Sequence, residues 1–153
     1  MKFFNIKTTH VIMAVSTLFT TGANASAVQC FKALNPEAIQ IRGVDIKKAS
    51  LRLIPESKTA DGYKMYPQAE FTVQAEGGNV VTATPFLFGT DNKTYSVECD
   101  GGNVRITRSG SVVVANSQYL RIDGSEDALR EGCGSVESIS MEDALFVKVA
   151  CKK

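Results

Sequence analysis

One sequence pattern occurs twice in this chain and constrains its fold more than any other feature. Residues 71–80, FTVQAEGGNV, return 24 positions later as YSVECDGGNV at 95–104. Each copy alternates apolar and polar residues, as a half-buried strand does, and then has a glycine turn before a second strand. We therefore predict two hairpins in series, at 71–84 and 95–108, that form a meander.

The rest of the chain is predicted to be mainly strands, with one or two short helices. Alternating or valine-rich runs predict strands at 49–54, 111–115, 118–122 and 144–151. The consecutive valines 112–114 indicate a strand that is covered on both faces or bent at a bulge. The expected fold is all-β, a small antiparallel barrel or sandwich stapled by disulfides.

Two segments have helix signals. Asn35, Pro36 and Glu37 are typical of a helix start and predict two turns ending at Gly43, although a strand over 38–41 is the alternative. The second segment, 123–131, has an acidic start and a basic end, which suits the helix dipole and predicts a short surface helix.

The N-terminus has the layout of a cleaved secretory signal. Lys2 and Lys7 precede an apolar run at 11–19, and small-residue cleavage sites follow at 23–27. The run is shorter than the about 20 residues that span a bilayer. We predict that residues 1–27 are removed and that 28–153 form one domain, periplasmic or secreted, with no membrane contact after cleavage.

Cleavage would also remove His10, the one histidine of the chain. Nucleophile systems and zinc sites that need an imidazole are therefore excluded. Loss of two lysines lowers Lys+Arg from 17 to 15 against 16 Asp+Glu, a net charge of −1. With no basic block, we expect no nucleic-acid partner, and nothing in the sequence indicates a cofactor.

Four cysteines remain, Cys30, Cys99, Cys133 and Cys151. An even number in an exported chain predicts two disulfides, and their wide spacing argues against a zinc site or a redox pair. Three pairings are open. We favour Cys99 with Cys151, which would tie the second hairpin to the last strand, and Cys30 with Cys133.

The acidic segment 123–131 is the predicted contact site for a basic protein target. The residues assigned to it are Asp123, Glu126, Asp127 and Glu131. Its alternating oxygen side chains resemble a calcium loop, but Ala128 and Gly134 stand where such a loop needs a glycine and a bidentate acid. We therefore predict no metal site.

A second candidate surface contains Tyr63, Met65 and Tyr66. Aromatic residues are frequent at interface hot spots, so an exposed stretch here would suit a protein contact. The alternative, which we favour from sequence, is that Tyr63 and Met65, or Tyr66 alone, pack as part of the strand leading into Phe71.

The run YSVECDGG at 95–102, followed by alternating strands and a cysteine near the C-terminus, resembles the opening of the periplasmic inhibitors of C-type lysozyme. That resemblance implies a small antiparallel β-barrel of the bacterial envelope, with a disulfide between two such cysteines. The inhibitory serine-glycine and lysine-glycine motifs of the family have no counterparts here, because Ser109 lies too near Cys99 and Val149 follows Lys148. No inhibitory residue is assigned.

From these features we expect an exported protein that inhibits, or gives immunity against, a cell-wall-degrading enzyme, either a lysozyme or an interbacterial toxin. It would act as a monomer or a small homo-oligomer and would not be an enzyme. The alternatives are an envelope subunit, structural or adhesive, that assembles through β edges, and a carboxylate-dependent hydrolase. Acids available to such a hydrolase are Glu98, Asp100, Glu126, Asp127, Glu131, Glu142 and Asp143.

Overall fold

The computed structural model describes residues 27–42, 44–78, 80–88, 91–98, 100–122 and 138–152. Within them the chain forms antiparallel strands and one short 3-10 turn, at Pro36–Ala38. The strands are β1 (Gln29–Ala33), β2 (Ile39–Ile41), β3 (Ile46–Ile54), β4 (Ser57–Lys58), β5 (Lys64–Met65), β6 (Gln68–Ala75), β7 (Val80–Ala83), β8 (Thr94–Ser96), β9 (Gly102–Ser109), β10 (Val112–Arg121) and β11 (Ser138–Val149). The predicted all-β fold is confirmed.

Most of these strands belong to one sheet that curls into a half-barrel. Its strand order is β7-β6-β3-β1-β11-β10-β9-β8, and β2 pairs with β11 as well. Strands β4 and β5 form a separate two-stranded hairpin between β3 and β6. No helix long and apolar enough to cross a membrane occurs among the described residues.

Phe86 joins the two ends of this sheet. It forms β-bridges with Gln68 of β6 and with Ser96 of β8. The Phe86 N–H donates to the Ser96 carbonyl at 2.8 Å, and the Ser96 N–H donates to the Phe86 carbonyl at 2.7 Å. Because Phe86 continues the line of β7, the two hairpins follow one another around the curl, as the predicted meander requires.

The core lies inside the curl and is built by alternation. Phe71 and Val73 of β6, Val104 of β9 and Phe146 of β11 are at most 1% exposed. The rings of Phe71 and Phe146 meet edge to face with centroids 5.9 Å apart. Burial of each such side chain contributes about 1.5 to 3 kcal/mol, so this inward row supplies much of the driving force for folding.

The two copies of the sequence repeat differ in their pairing. Phe71 pairs with Ala83 in the first hairpin, whereas Tyr95 pairs with Val104 in the second. A tight turn shortens the second hairpin, because the Val97 N–H donates to the Gly102 carbonyl at 2.9 Å. The repeat therefore predicts the hairpins but not their register.

The predicted helix from Asn35 to Gly43 is wrong. A single 3-10 turn ends at Ala38, and β2 then pairs Ile39 with Met141 and Ile41 with Ile139. The alternation of this segment explains the difference, since both isoleucines are buried against β11 while Gln40 is exposed. The other predicted helix, at 123–131, and the predicted signal peptide, except for Ala27, lie outside the described residues.

The favoured disulfide pairings are also wrong. Cys30 bonds Cys151, with Cα atoms 5.2 Å apart, because β1 lies beside the end of β11 and Cys30 stands opposite Val149. The sequence-based pairings required both cysteines to bond elsewhere. The remaining two, Cys99 and Cys133, lie outside the described residues.

The valine run at 112–114 lies in β10. Val113 points into the core, while Val112 and Val114 are half-buried on the outer face. The register with β11 is continuous from Val112 to Ala115 and first shifts between Ala115 and Ser117, so the bulge follows the valines and does not lie within them.

Candidate functional site

An exposed aromatic cluster lies where Phe86 joins the two ends of the sheet. We call this junction the seam of the half-barrel and the cluster the aromatic surface. Its rings are Tyr66, Phe88 and the half-buried Phe86, and the exposed residues Tyr63 and Met65 precede Tyr66 in the chain. The exposed fractions are 73% for Tyr63, 46% for Tyr66, 46% for Phe88 and 38% for Met65. The inward packing that we favoured from sequence is therefore wrong, and a contiguous exposed apolar patch is a feature that often marks an interaction site.

Ring contacts hold the centre of this surface together. The Tyr66 and Phe88 rings meet edge to face with centroids 5.1 Å apart, and the Phe88 and Phe86 centroids are 5.8 Å apart. Such pairs contribute about 0.5 to 1.5 kcal/mol beyond their buried area. Tyr66, Phe86 and Phe88 are thus in contact with one another rather than three independent side chains.

The seam explains why Tyr66 and Phe88 are in contact although about 20 positions separate them in the sequence. Phe86 is fixed between β6 and β8, and the Leu87 N–H donates to the Pro67 carbonyl at 2.8 Å. That bond places residues 86–88 beside residues 65–67. Phe88, which no sequence motif singled out, enters the surface only through this closure.

The β4–β5 hairpin carries Tyr63 and Met65. Its loop is closed by the Thr59 N–H, which donates to the Tyr63 carbonyl at 2.9 Å, and by the Tyr63 N–H, which donates to Thr59 Oγ1 at 3.1 Å. Glu56 and Lys64 form an ion pair of 2.9 Å, and the hydrogen bond to Glu56 raises the pKa of Lys64. Both ends of the hairpin are therefore held, which orders the loop that presents Tyr63.

The acidic contact site predicted from sequence, Asp123, Glu126, Asp127 and Glu131, lies outside the described residues. The residues that flank it, Ile122 and Ser138, follow β10 and begin β11.

Among the described residues, the carboxylates that a hydrolase could use do not form a cluster. Glu98 and Asp100 belong to the β8–β9 turn, and Glu142 and Asp143 to β11. The Asp143 carboxylate accepts a hydrogen bond from the Asn116 amide at 3.1 Å. No group of three or more His, Cys, Asp or Glu residues that could hold a metal ion occurs in the described part of the chain.

One carboxylate outside the aromatic surface has a shifted pKa. The Thr94 hydroxyl and the N–H groups of Lys93 and Thr94 donate to the Asp91 carboxylate at 2.6 to 3.0 Å. These bonds stabilise the charged form and lower the pKa of Asp91 to about 2. Because Asp91 is exposed and wholly engaged with the entry to β8, we assign it a structural role.

No family model, curated protein or solved structure matches this chain. The functional assignment therefore rests on the sequence and on the geometry of the aromatic surface.

Proposed function

We propose that this protein is an exported binding protein and that it contacts a protein target through the aromatic surface. The observation that carries the proposal is the exposed ring contact between Tyr66 and Phe88. Tyrosine and phenylalanine offer large contact areas with few rotatable bonds, so little entropy is lost when they are held against a partner.

Export is supported by two independent features. The first 27 residues have the layout of a signal peptide. The disulfide between Cys30 and Cys151 joins residues 121 positions apart, and such structural bridges persist in oxidising compartments. A periplasmic or secreted location is consistent with both.

The target that we propose is a cell-wall-degrading enzyme, either a lysozyme or an interbacterial toxin. Support comes from the resemblance of residues 95–153 to the periplasmic lysozyme inhibitors and from the acidic segment that contains Glu126 and Asp127. Lysozymes are commonly basic, so an acidic segment would speed their encounter with this protein. The aromatic surface would then supply the apolar part of the contact.

A pull-down followed by an inhibition assay tests this proposal. Oxidised protein lacking residues 1–27 serves as bait for periplasmic extract, secreted toxins and C-type lysozymes, and the bound proteins are identified by mass spectrometry. We expect recovery of a muramidase or peptidoglycan amidase whose activity falls at one-to-one stoichiometry. Full enzyme activity in the presence of excess protein would contradict the inhibitor function.

An envelope subunit that assembles through β edges is the second candidate, because β7 lies at one end of the sheet order. Within the described residues no strand pairs with Val80–Ala83 on the side away from β6, and Val80 is 57% exposed. Unpaired edges of this kind template further strands. Oligomers that grow with protein concentration in analytical ultracentrifugation would favour this function over that of an inhibitor.

A further inference from the structure

A cationic groove runs over the outer face of the half-barrel, across β1, β3, β6 and β7. Its volume is about 710 Å³. Its charged lining residues are Lys32, Lys48, Arg52 and Lys152, and the described residues that line it include no Asp or Glu. This surface is distinct from the aromatic surface, and nothing in the proposed function requires it.

Strand register assembles the groove from residues that are far apart in sequence. Lys32 of β1 pairs with Ser50 of β3, and Lys48 of β3 pairs with Gln74 of β6. Their neighbours Phe31, Ala49 and Leu51 are buried, so alternation directs Lys32 and Lys48 to the outer face. The Cys30–Cys151 disulfide then fixes the chain next to Lys152 at the edge of β1.

Most of this positive charge is not neutralised. Arg52 is paired with Glu70 of the neighbouring strand at 2.9 Å. No ion pair between described residues involves Lys32, Lys48 or Lys152. In a mature chain whose net charge is about −1, three such lysines in one groove form a local positive potential that the overall charge conceals.

The remaining lining groups indicate the chemical class of ligand. Ser50 and Thr72 offer hydroxyls and Gln74 an amide, which suit the hydroxyl groups of a sugar. The aromatic residue along the groove, Phe31, is 3% exposed, so it provides no ring on which a nucleic-acid base could stack. We propose that this groove binds an anionic polysaccharide chain, with the three lysines on its acidic groups.

The test measures binding of the oxidised mature protein to immobilised dextran sulfate, carboxymethyl dextran, neutral dextran and polyglutamate by surface plasmon resonance. The groove variant is Lys32→Glu with Lys48→Glu. The matched control is Lys58→Glu with Arg108→Glu, which changes the net charge equally at exposed positions outside the groove. Circular dichroism and thermal unfolding confirm that both variants fold.

We expect both charged dextrans to bind and neutral dextran not to bind, with affinity falling steeply between low salt and about 0.3 M salt. The groove variant should lose affinity at least about tenfold, and the control should lose less than about threefold. A sulfate-selective or a carboxylate-selective response identifies which acidic group the chain carries, and either result supports the site.

Three results would overturn the inference. Equal binding to charged and neutral dextran would remove the role of the lysines. An equal loss in the groove variant and the control would show that only net charge matters. Binding to polyglutamate as tight as binding to the charged dextrans would exclude recognition of a polysaccharide.

Discussion

Asn116 and Asp143 bond to each other reciprocally across β10 and β11. The Asp143 N–H donates to Asn116 Oδ1 at 2.7 Å, and Asn116 Nδ2 donates to Asp143 Oδ1 at 3.1 Å. Asp143 has a φ of +48°, a conformation that the aspartate side chain tolerates better than most. Asn35 holds the same position from the other side, accepting from the Leu145 N–H at 2.7 Å and donating to the Asp143 carbonyl.

Replacing Asn116 with alanine should therefore destabilise the protein. The variant loses two hydrogen bonds and the side chain that holds the strained Asp143, which we expect to cost about 1 to 2 kcal/mol. Urea unfolding measures the difference. Thr107→Ala, an exposed change on the neighbouring β9, is the control and should cost less than about 0.5 kcal/mol. Equal effects of the two changes would show that the Asn116 bonds contribute nothing specific.

The glycines at equivalent positions of the repeat, Gly78 and Gly102, should respond differently to alanine. Both have positive φ, +89° and +86°, so each substitution strains the backbone by about 1 to 2 kcal/mol. A Cβ on Gly102 would also clash with the Tyr119 carbonyl oxygen, whereas one on Gly78 would meet nothing within 4 Å. We expect Gly102→Ala to cost about 3 kcal/mol or more and Gly78→Ala about 1 kcal/mol. Similar thermal shifts for both variants would contradict the close approach of β9 and β10.

The disulfide should stabilise the fold through its long loop. Removing it in the double variant Cys30→Ser with Cys151→Ser is expected to lower the free energy of unfolding by about 3 to 5 kcal/mol, because the bridge spans 121 residues. Peptide mapping without reduction should recover Cys30 joined to Cys151. If the chain has two bridges, as its cysteine count predicts, Cys99 then pairs with Cys133. A peptide joining Cys99 to Cys151 would contradict the bridge between Cys30 and Cys151.

Asp91 should give stability that depends on acid pH. Its pKa is lowered from 3.8 to about 2 in the folded state, so its contribution is complete above the unfolded value and is lost as the pH falls through about 2. The stability difference between the wild type and Asp91→Asn should be constant above about pH 5 and shrink between pH 4 and pH 2. Asp61→Asn, in another exposed loop, controls for loss of a surface charge. A difference that stays constant down to pH 2 would exclude the hydrogen bonds to Asp91.

Local pattern explains which parts of this fold could be predicted. Alternation in the runs around Phe71 and Tyr95 identifies strands, since the period of two puts one face in the core. The same alternation predicts the alternative strand over 38–41, whereas Asn35, Pro36 and Glu37 predict a helix there. Burial of Ile39 and Ile41 stabilises the chain more than the capping residues would stabilise one turn of helix.

Long-range closure explains which parts could not be predicted. The pairing of Cys30 with Cys151 follows from β1 lying beside β11, and the contact of Tyr66 with Phe88 follows from the seam at Phe86. Neither is encoded in residue spacing. The same holds for the cationic groove, because Lys32 and Lys48 meet only after β1 pairs with β3. A near-neutral net charge without a basic block thus concealed a charged surface.

The most direct test of the proposed function measures how well three variants inhibit a cell-wall-degrading enzyme, if the pull-down recovers one. Tyr66→Ala with Phe88→Ala removes the central ring contact, Glu126→Lys with Asp127→Lys reverses the acidic segment, and Leu34→Ala is the control, an apolar side chain that is 59% exposed elsewhere. We expect the aromatic variant to weaken inhibition about 30-fold, the acidic variant to slow association mainly at low salt, and the control to match the wild type. Wild-type inhibition by the aromatic variant would contradict the central claim that this surface binds the target.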